Sequence, residues 1–309
     1  MNKSLARPCL AAAVALSAVA AATAFGTAAG AAESVNRVSV STTGEQGDSA
    51  SDAAVISGDG RYVAFTSLAR NLTTPNETVF TPDVYVRDRV AGTTELVSVT
   101  RKGVEGGGQL ASISDGGRFV SFTSQGKNLV KADKNKKHDI FVRDLTKDKT
   151  ERVSVSSQGD EAAKRSFESQ VAGQGRFVVF TSEAGNLVEK DKNKKVDVFV
   201  HDRKKDKTEL VSVDSRGRQA GGPSLSPSIS ANGRYVSFNS APDLRKGGRV
   251  ADALYLHDRS TDKTDPLVPE IGTAATISAD GHALSFNAFR SSVVDGDTNN
   301  SRDVFVLTW

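Results

Sequence analysis

Gly60-Arg61-Tyr62-Val63-Ala64-Phe65 is one of five versions of the same hexapeptide in this chain. The others are Gly117-Arg118-Phe119-Val120-Ser121-Phe122, Gly175-Arg176-Phe177-Val178-Val179-Phe180, Gly233-Arg234-Tyr235-Val236-Ser237-Phe238 and Gly281-His282-Ala283-Leu284-Ser285-Phe286. Their second residues stand at 61, 118, 176, 234 and 282, at steps of 57, 58, 58 and 48. Self-similarity at a nearly fixed period marks a repeat architecture. Within the hexapeptide, Tyr62 and Ala64 fall on one face and Val63 and Phe65 on the other, which is the two-residue period of a β-strand.

Three more strand-like pieces flank each hexapeptide. A short piece rich in small residues precedes it, as in Ala53–Ser57, Leu110–Ser114 and Pro227–Ser230. The turn between them, Gly58-Asp59-Gly60 or Asp115-Gly116-Gly117, uses residues that tolerate left-handed backbone angles. After the hexapeptide comes Asp83-Val84-Tyr85-Val86-Arg87-Asp88, echoed by Asp139–Asp144, Asp197–Asp202, Asp252–Asp258 and Asp303–Leu307. A turn through Ala91-Gly92 or Lys147-Asp148 leads to the fourth piece, Thr94–Val99, echoed by Thr150–Val155 and Thr208–Val213. No stretch downstream of the N-terminal segment holds a 3.6-residue period. Four antiparallel strands repeated radially make an all-β chain whose expected fold is a five-bladed β-propeller. The repeats run at about 53–99, 110–155, 168–213, 226–268 and 274–309. The fifth ends at Trp309 after its third strand, and Asn36–Ser41 resembles Glu151–Ser156, the fourth strand of the second repeat. That N-terminal piece is expected to complete the last blade and remove two sheet edges. A parallel β-helix is the alternative, with shorter rungs than these.

Residues 1–32 stand apart from this pattern. Lys3 and Arg7 precede an apolar run from Leu10 to Phe25, and Ala29-Gly30-Ala31 offers a small-residue cleavage site. The segment reads as a secretory signal peptide, leaving 33–309 as a single domain. A retained membrane anchor is the competing reading, but an Ala-rich run of roughly sixteen residues is short for a span. Cys9, the one cysteine, lies inside this segment. The rest of the chain is therefore expected to rely on burial and sheet pairing without a disulfide. Without Lys3 and Arg7 the chain holds 38 basic and 37 acidic residues, so bulk charge gives no argument for nucleic acid.

The hexapeptide with Ser57 and Asp59 before it, followed by Asp83–Asp88 and then Thr94–Val99, resembles the TolB-like (WD-repeat-like) β-propeller repeat of exported bacterial proteins. The resemblance covers residues 36–309 and departs most in the fifth repeat, where His282 replaces Arg. It implies a propeller outside the cytoplasm and says little about activity, because that family includes translocation-associated, binding and uncharacterised members.

Both sets of long loops belong on one face of such a fold. These are the second-to-third-strand loops (Ser67–Pro82, Ser124–His138, Ser182–Val196) and the links between blades (Thr100–Gln109, Ser156–Ser166, Asp214–Ser226). Loops on a rigid scaffold are where binding residues gather. The expected function is thus non-catalytic binding of a protein or cell-envelope polymer through that face by a monomer. Three loops share a spacing: Asp133-x-Asn135-x-x-x-Asp139, Asp191-x-Asn193-x-x-x-Asp197 and Asp297-x-Asn299-x-x-x-Asp303. Alternate oxygen ligands suit calcium, yet the glycine and bidentate glutamate of an EF-hand loop are missing. Lys134, Lys136, Lys192 and Lys194 crowd the first two loops, which leaves Asp297, Asn299 and Asp303 as the candidate calcium ligands. The plainer reading is that Asp and Asn bond their own backbone in a turn. The basic runs Lys127–Lys149 and Lys190–Lys207 could face an anionic polymer, but interleaved acids favour a paired, solvated edge.

Catalytic patterns are thin. His201 and His257 occupy the repeat position of Arg87 and Arg143, and no nucleophile elbow, zincin or phosphate-loop motif occurs. Asp88, Asp144, Asp202 and Asp258 recur once per blade as expected turn caps, and Phe65, Phe122, Phe180, Phe238 and Phe286 as inter-blade packing. The alternative function is a hydrolase or lyase in the central channel, built from singular residues such as His138 or Glu168.

Overall fold

The computed structural model describes residues 34–73, 81–131, 133–240, 253–268, 275–288, 294 and 301–309. Val38–Trp309 forms one unit of antiparallel sheets, with no helix among the described residues. Each sheet is one repeat with its strands in sequence order. Blade 1 holds β1 (Ser51–Ile56), β2 (Tyr62–Ser67), β3 (Asp83–Asp88) and β4 (Thr93–Leu96); blade 2 holds β5 (Gln109–Ile113), β6 (Phe119–Ser124), β7 (Asp139–Asp144) and β8 (Lys149–Arg152). Blade 3 holds β9 (Ser166–Ala172), β10 (Phe177–Ser182), β11 (Asp197–Asp202) and β12 (Lys207–Leu210); blade 4 holds β13 (Ser224–Ile229), β14 (Tyr235–Ser240), β15 (Ala253–Asp258) and β16 (Lys263–Val268). Blade 5 has three strands, β17 (Thr276–Ile277), β18 (Ala283–Ala288) and β19 (Asp303–Thr308). The all-β, five-sheet propeller architecture read from the sequence is the one observed.

Alternation within strands gives every blade two different faces. One carries a stacked aromatic pair from the second and third strands, such as Phe122–Phe141 or Phe180–Phe199, with ring centroids 5.8 Å apart. The other carries Val, Ile or Leu from the third strand. Val84 and Val86 of blade 1 pack on Phe122 and Phe141 of blade 2. Ile140 and Val142 likewise meet Phe180 and Phe199, Val198 and Val200 meet Phe238 and Tyr255, and Leu254 meets Phe286 and Phe305. These layers form the core, and the Phe series serves inter-blade packing as read from the sequence. The recurring third-strand aspartates also match expectation. Asp88 accepts from the Val90 and Ala91 amides, and the Arg61 guanidinium beside it holds its carboxyl far below the usual carboxylate range. Arg118–Asp144, Arg176–Asp202 and Arg234–Asp258 repeat the ion pair.

The first strands of successive blades adjoin one another along the axis. Those of blades 1 to 4 each carry a bulge at a non-glycine residue with left-handed φ: Ala53 (50°), Leu110 (54°), Glu168 (49°) and Ser226 (52°). A bulge frees an amide from the ladder. Blade 3 takes up one such amide, as Glu168 Oε2 accepts from Ser226 N–H at 3.0 Å; Gln170 Oε1 also accepts from Ile229 N–H at 2.9 Å on the open edge of the same strand.

The fourth strands of blades 1, 2 and 3 each run into a short hook closed by one bridge: Val99 to Glu105, Val155 to Glu161 and Val213 to Gln219. Val40 and Gln46 make the same bridge at the N-terminal side of blade 1. The expected pairing of Asn36–Ser41 as the fourth strand of the last blade is not observed: residues 36–41 form no strand, and blade 5 has three among the described residues. The likeness of Asn36–Ser41 to a fourth strand includes the hook that ends those fourth strands, and the hook half is what forms, latched on blade 1. Among the described residues no strand pairs with the outer side of β19, and Val304 and Val306 are 78% and 68% exposed. Their counterparts Val198 and Val200 are fully covered by the following blade. The predicted signal segment 1–32 lies outside the described residues, and no helix among those residues is long and apolar enough to cross a membrane.

Candidate functional site

Among the described links, the loop face departs from the repeat between blades 1 and 2. In the other links the first strand begins with a serine five residues after the hook bridge: Ser51 after Gln46, Ser166 after Glu161 and Ser224 after Gln219. Each of these serines hydrogen-bonds the serine ending the second strand, at 2.8 to 3.0 Å. Between blades 1 and 2 the link is two residues shorter, and Gly108 takes the serine's place three residues after Glu105. Ser124, left without that hydroxyl, donates to Gly107 O at 2.5 Å. The glycines are required by close approach. A side chain on Gly108 would press on Ser98 at 2.9 Å and the Phe122 ring at 3.0 Å, and one on Gly126 would meet Gly106 O.

The short link leaves a pocket of about 530 Å³. It is lined by Thr81 and Pro82, by Val104–Gln109, and by Ser124, Gln125, Gly126 and His138. Two second-to-third loops and one blade link therefore meet there, as expected for the long-loop face. Asp83 underlies the wall, accepting from Ser98 Oγ at 2.6 Å and Gly107 N–H at 3.0 Å, and burial raises its carboxyl above the usual range. Gln109, Gln125 and His138 give the pocket amide and imidazole groups suited to hydrogen-bonded recognition.

His138 and Glu168, the singular residues considered for catalysis, line different cavities. Glu168 faces a channel cavity of about 390 Å³ with Ala53, Leu110 and Ser226, and its carboxylate clips blade 4 through the Ser226 amide. His201 and His257 are repeat positions indeed: Nδ1 of each pairs with Thr208 Oγ1 or Thr264 Oγ1 at 2.9 and 2.8 Å, and burial lowers both imidazoles.

Of the Asp-x-Asn loops, Asp297 and Asn299 lie outside the described residues, and Asp303 opens β19. The other two copies show what the motif does. Asn135 and Asn193 accept from the amides of Lys137 and Lys195, which is the expected turn. Their side-chain amides also donate to Ala162 O and Ala220 O, tying each loop to the next link, a role that spacing within one repeat does not reveal. In blade 2 the Arg152 guanidinium sits among Asp133, Asp139 and Glu161 at 3.6, 3.4 and 2.8 Å. Blade 3 has Leu210 and Gln219 in place of Arg152 and Glu161, and Gln219 donates to both Asp191 and Asp197 at 3.1 Å. Burial, with the Asp191 charge nearby, pushes Asp197 up to about 6. Among the described residues no group of three or more His, Cys, Asp or Glu is placed to hold a metal. In the basic runs Lys149 and Lys207 pair with Glu151 and Glu209 at 3.8 and 2.7 Å, as a paired loop edge predicts.

Sheet order, blade packing and loop placement define a β-propeller. Similar solved structures include TolB from Acinetobacter baumannii (16% identity, TM-score 0.52), of which this chain covers 52% while 84% of the chain is matched. The chain thus spans about half the length of that protein. The β-propeller domain of the trilobed protease from Pyrococcus furiosus, described as having an open velcro topology, matches at 12% identity and TM-score 0.52 over 84% of this chain and 68% of its own. Oligogalacturonate lyase from Vibrio parahaemolyticus matches at 12% identity and TM-score 0.53 over 86% of this chain and 64% of its own. At such identities the likeness concerns the fold. No family model and no curated protein matches the chain.

Proposed function

We propose that this chain is an extracytoplasmic binding propeller that takes a protein or cell-envelope ligand, as a monomer, in the loop-face pocket between blades 1 and 2. The observation that carries the reading is the pocket itself, made where Gly106-Gly107-Gly108 shortens the link and removes the Ser–Ser bond found in blades 1, 3 and 4. A departure from the repeat at one junction is what a binding site on a repeated scaffold requires. The channel offers less, because Glu168 is engaged in holding blade 4. Calcium on Asp297, Asn299 and Asp303 belongs to the same proposal, as a support for the blade 5 loop; calorimetry with calcium on wild type and Asp297→Asn tests it, and no heat from wild type removes it.

The main test uses envelope material captured on the full chain. Replacing residues 125–137 by blade 3 residues 183–195 should abolish capture of a ligand that the wild type and Glu168→Gln both retain. Capture that survives the loop exchange but is lost with Glu168→Gln would move the site to the channel. Turnover of an envelope polymer that is lost in His138→Ala would favour the hydrolase or lyase alternative.

A further inference from the structure

Three of the hooks end in a clasp. At blade 1, Thr42 Oγ1 accepts from Thr94 N–H at 3.0 Å and donates to Thr94 O at 3.3 Å, while Thr94 Oγ1 donates to Val40 O at 2.5 Å. Ser157 makes the same bonds to Thr208 of blade 3, and Ser215 to Thr264 of blade 4. Under each clasp lies Arg87, His201 or His257, bonded to that threonine hydroxyl; Arg87 also donates to the hook carbonyl of Ser41.

Blade 2 has the threonine, Thr150, and the underlying cation, Arg143, but its hook carries Arg101 in place of the hydroxyl. Arg101 N–H goes instead to Asn128 O at 3.0 Å, and the clasp stays open. A cleft of about 630 Å³ results, lined by Arg101, Lys131, Arg143, Lys149 and Thr150 with Glu95 and Asp148 at its sides. The Arg143 side chain is 8% exposed. Nη1 donates to Thr150 Oγ1 at 3.2 Å and Nη2 pairs with Asp148, while the buried Nε has no partner. Burying a charged donor unsatisfied is costly, so the site is short of an acceptor.

We propose that the open clasp on the outer rim of blade 2 binds a hydroxy-carboxylate, whose hydroxyl replaces the missing clasp hydroxyl on Thr150 and whose carboxylate lies among Arg101, Lys131 and Lys149, above the under-partnered Arg143. The other blades show the geometry that the ligand must reproduce: one hydroxyl that both accepts from the threonine N–H and donates to its carbonyl, with an acceptor next to it. Lys131, Lys149 and Arg101 set the sign of the ligand, since four cations face two carboxylates around the cleft. A free hydroxy acid and an acidic sugar unit of a polymer share this chemistry. The site is separate from the loop-face pocket, and the proposal does not depend on the function assigned to that pocket.

The test is calorimetric titration of the full chain with lactate, propionate, inorganic phosphate and a galacturonate oligomer. Lactate should bind at least tenfold more tightly than propionate, which lacks the hydroxyl, and more tightly than phosphate. Arg101→Ser restores the hydroxyl present at Ser157 and Ser215; it should close the clasp, raise the melting temperature and weaken lactate at least tenfold. A galacturonate oligomer that binds more tightly than lactate and is lost in the same variant would make the polymer the source. Equal binding of lactate and propionate, undiminished lactate binding in Arg101→Ser, or no heat with any of the four probes would overturn the proposal.

Discussion

The junction between blades 1 and 2 and the two that follow it share a core and differ at their edges. In all three, branched aliphatic side chains of one blade meet a stacked aromatic pair of the next. At the later junctions an arginine crosses the seam. Arg203 lies over the Phe119 ring at 4.7 Å and bonds Glu151, and Arg259 lies over Phe177 at 4.9 Å and bonds Glu209 at 2.6 Å. At the first junction Leu145 stands in that position, and the cation near Glu95 is the blade 2 Arg143 instead of a seam arginine stacked on a ring. The same junction lacks the serine pair on the loop face and the clasp on the rim. Apolar burial supplies most of the adhesion between blades, while each polar contact adds about 1 kcal/mol. A junction can therefore shed its polar fittings and open two cavities with its core intact.

If the cores are equivalent, Phe122→Ala and Phe180→Ala should each cost about 3–5 kcal/mol in chemical denaturation. A much smaller cost at Phe122 would mean that the first junction is loose throughout. Gly117→Ala comes next. Gly117 has φ 72° and lies against the Tyr62 ring, whereas Gly60 has φ 71° and only Arg89 Nη1 near, at 4.0 Å. Left-handed strain alone costs about 1–2 kcal/mol, and overpacking adds about 1–3. Gly117→Ala should thus lose about 2–4 kcal/mol and Gly60→Ala about 1–2, and equal losses would show that a ring also covers Gly60.

Blades 2 and 3 differ in the charge they bury, which makes pH a probe. Asp197 titrates at about 6 in the folded chain, above the usual 3.8, so its protonated form favours folding. That contribution is complete below about pH 4 and is lost as pH rises through about 6. The loss should be on the order of 2 kcal/mol. Asp197→Asn should gain on wild type by that amount between pH 4 and 7 in urea unfolding; a constant difference would mean that a cation or solvent already compensates the charge. The smallest effect is expected from Leu145→Arg, which supplies the missing seam arginine over Tyr62 and beside Glu95. It should stabilise by about 0.5–1 kcal/mol at low salt and less at high salt.

The repeat, the four-strand blades, the aspartate caps and the aromatic packing were all legible, because each depends on residues that recur in register. The loop face was legible as a location. The pocket was not, since it arises from what blade 2 lacks: two residues of link and one serine. Aligning Glu105–Gly108 with Glu161–Ser166 and Gln219–Ser224 would have exposed it. The Arg101 exchange was hidden for a similar reason, as its meaning depends on Thr150, which lies far along the chain. Glu168 looked singular in sequence because its partner is a backbone amide, and amides leave no trace in side-chain patterns.

The clasped hooks at blades 1, 3 and 4 lap over those blades like roof tiles, so that such a blade cannot lift until its latch is released. In a linear array this turns nearest-neighbour contacts into long-range cooperativity. Among the described hooks, the one without its hydroxyl clasp is the hook on blade 2. Under tension, or in slow amide exchange, the structure should part first along the line between blades 1 and 2, making that seam the joint at which an otherwise stiff body gives.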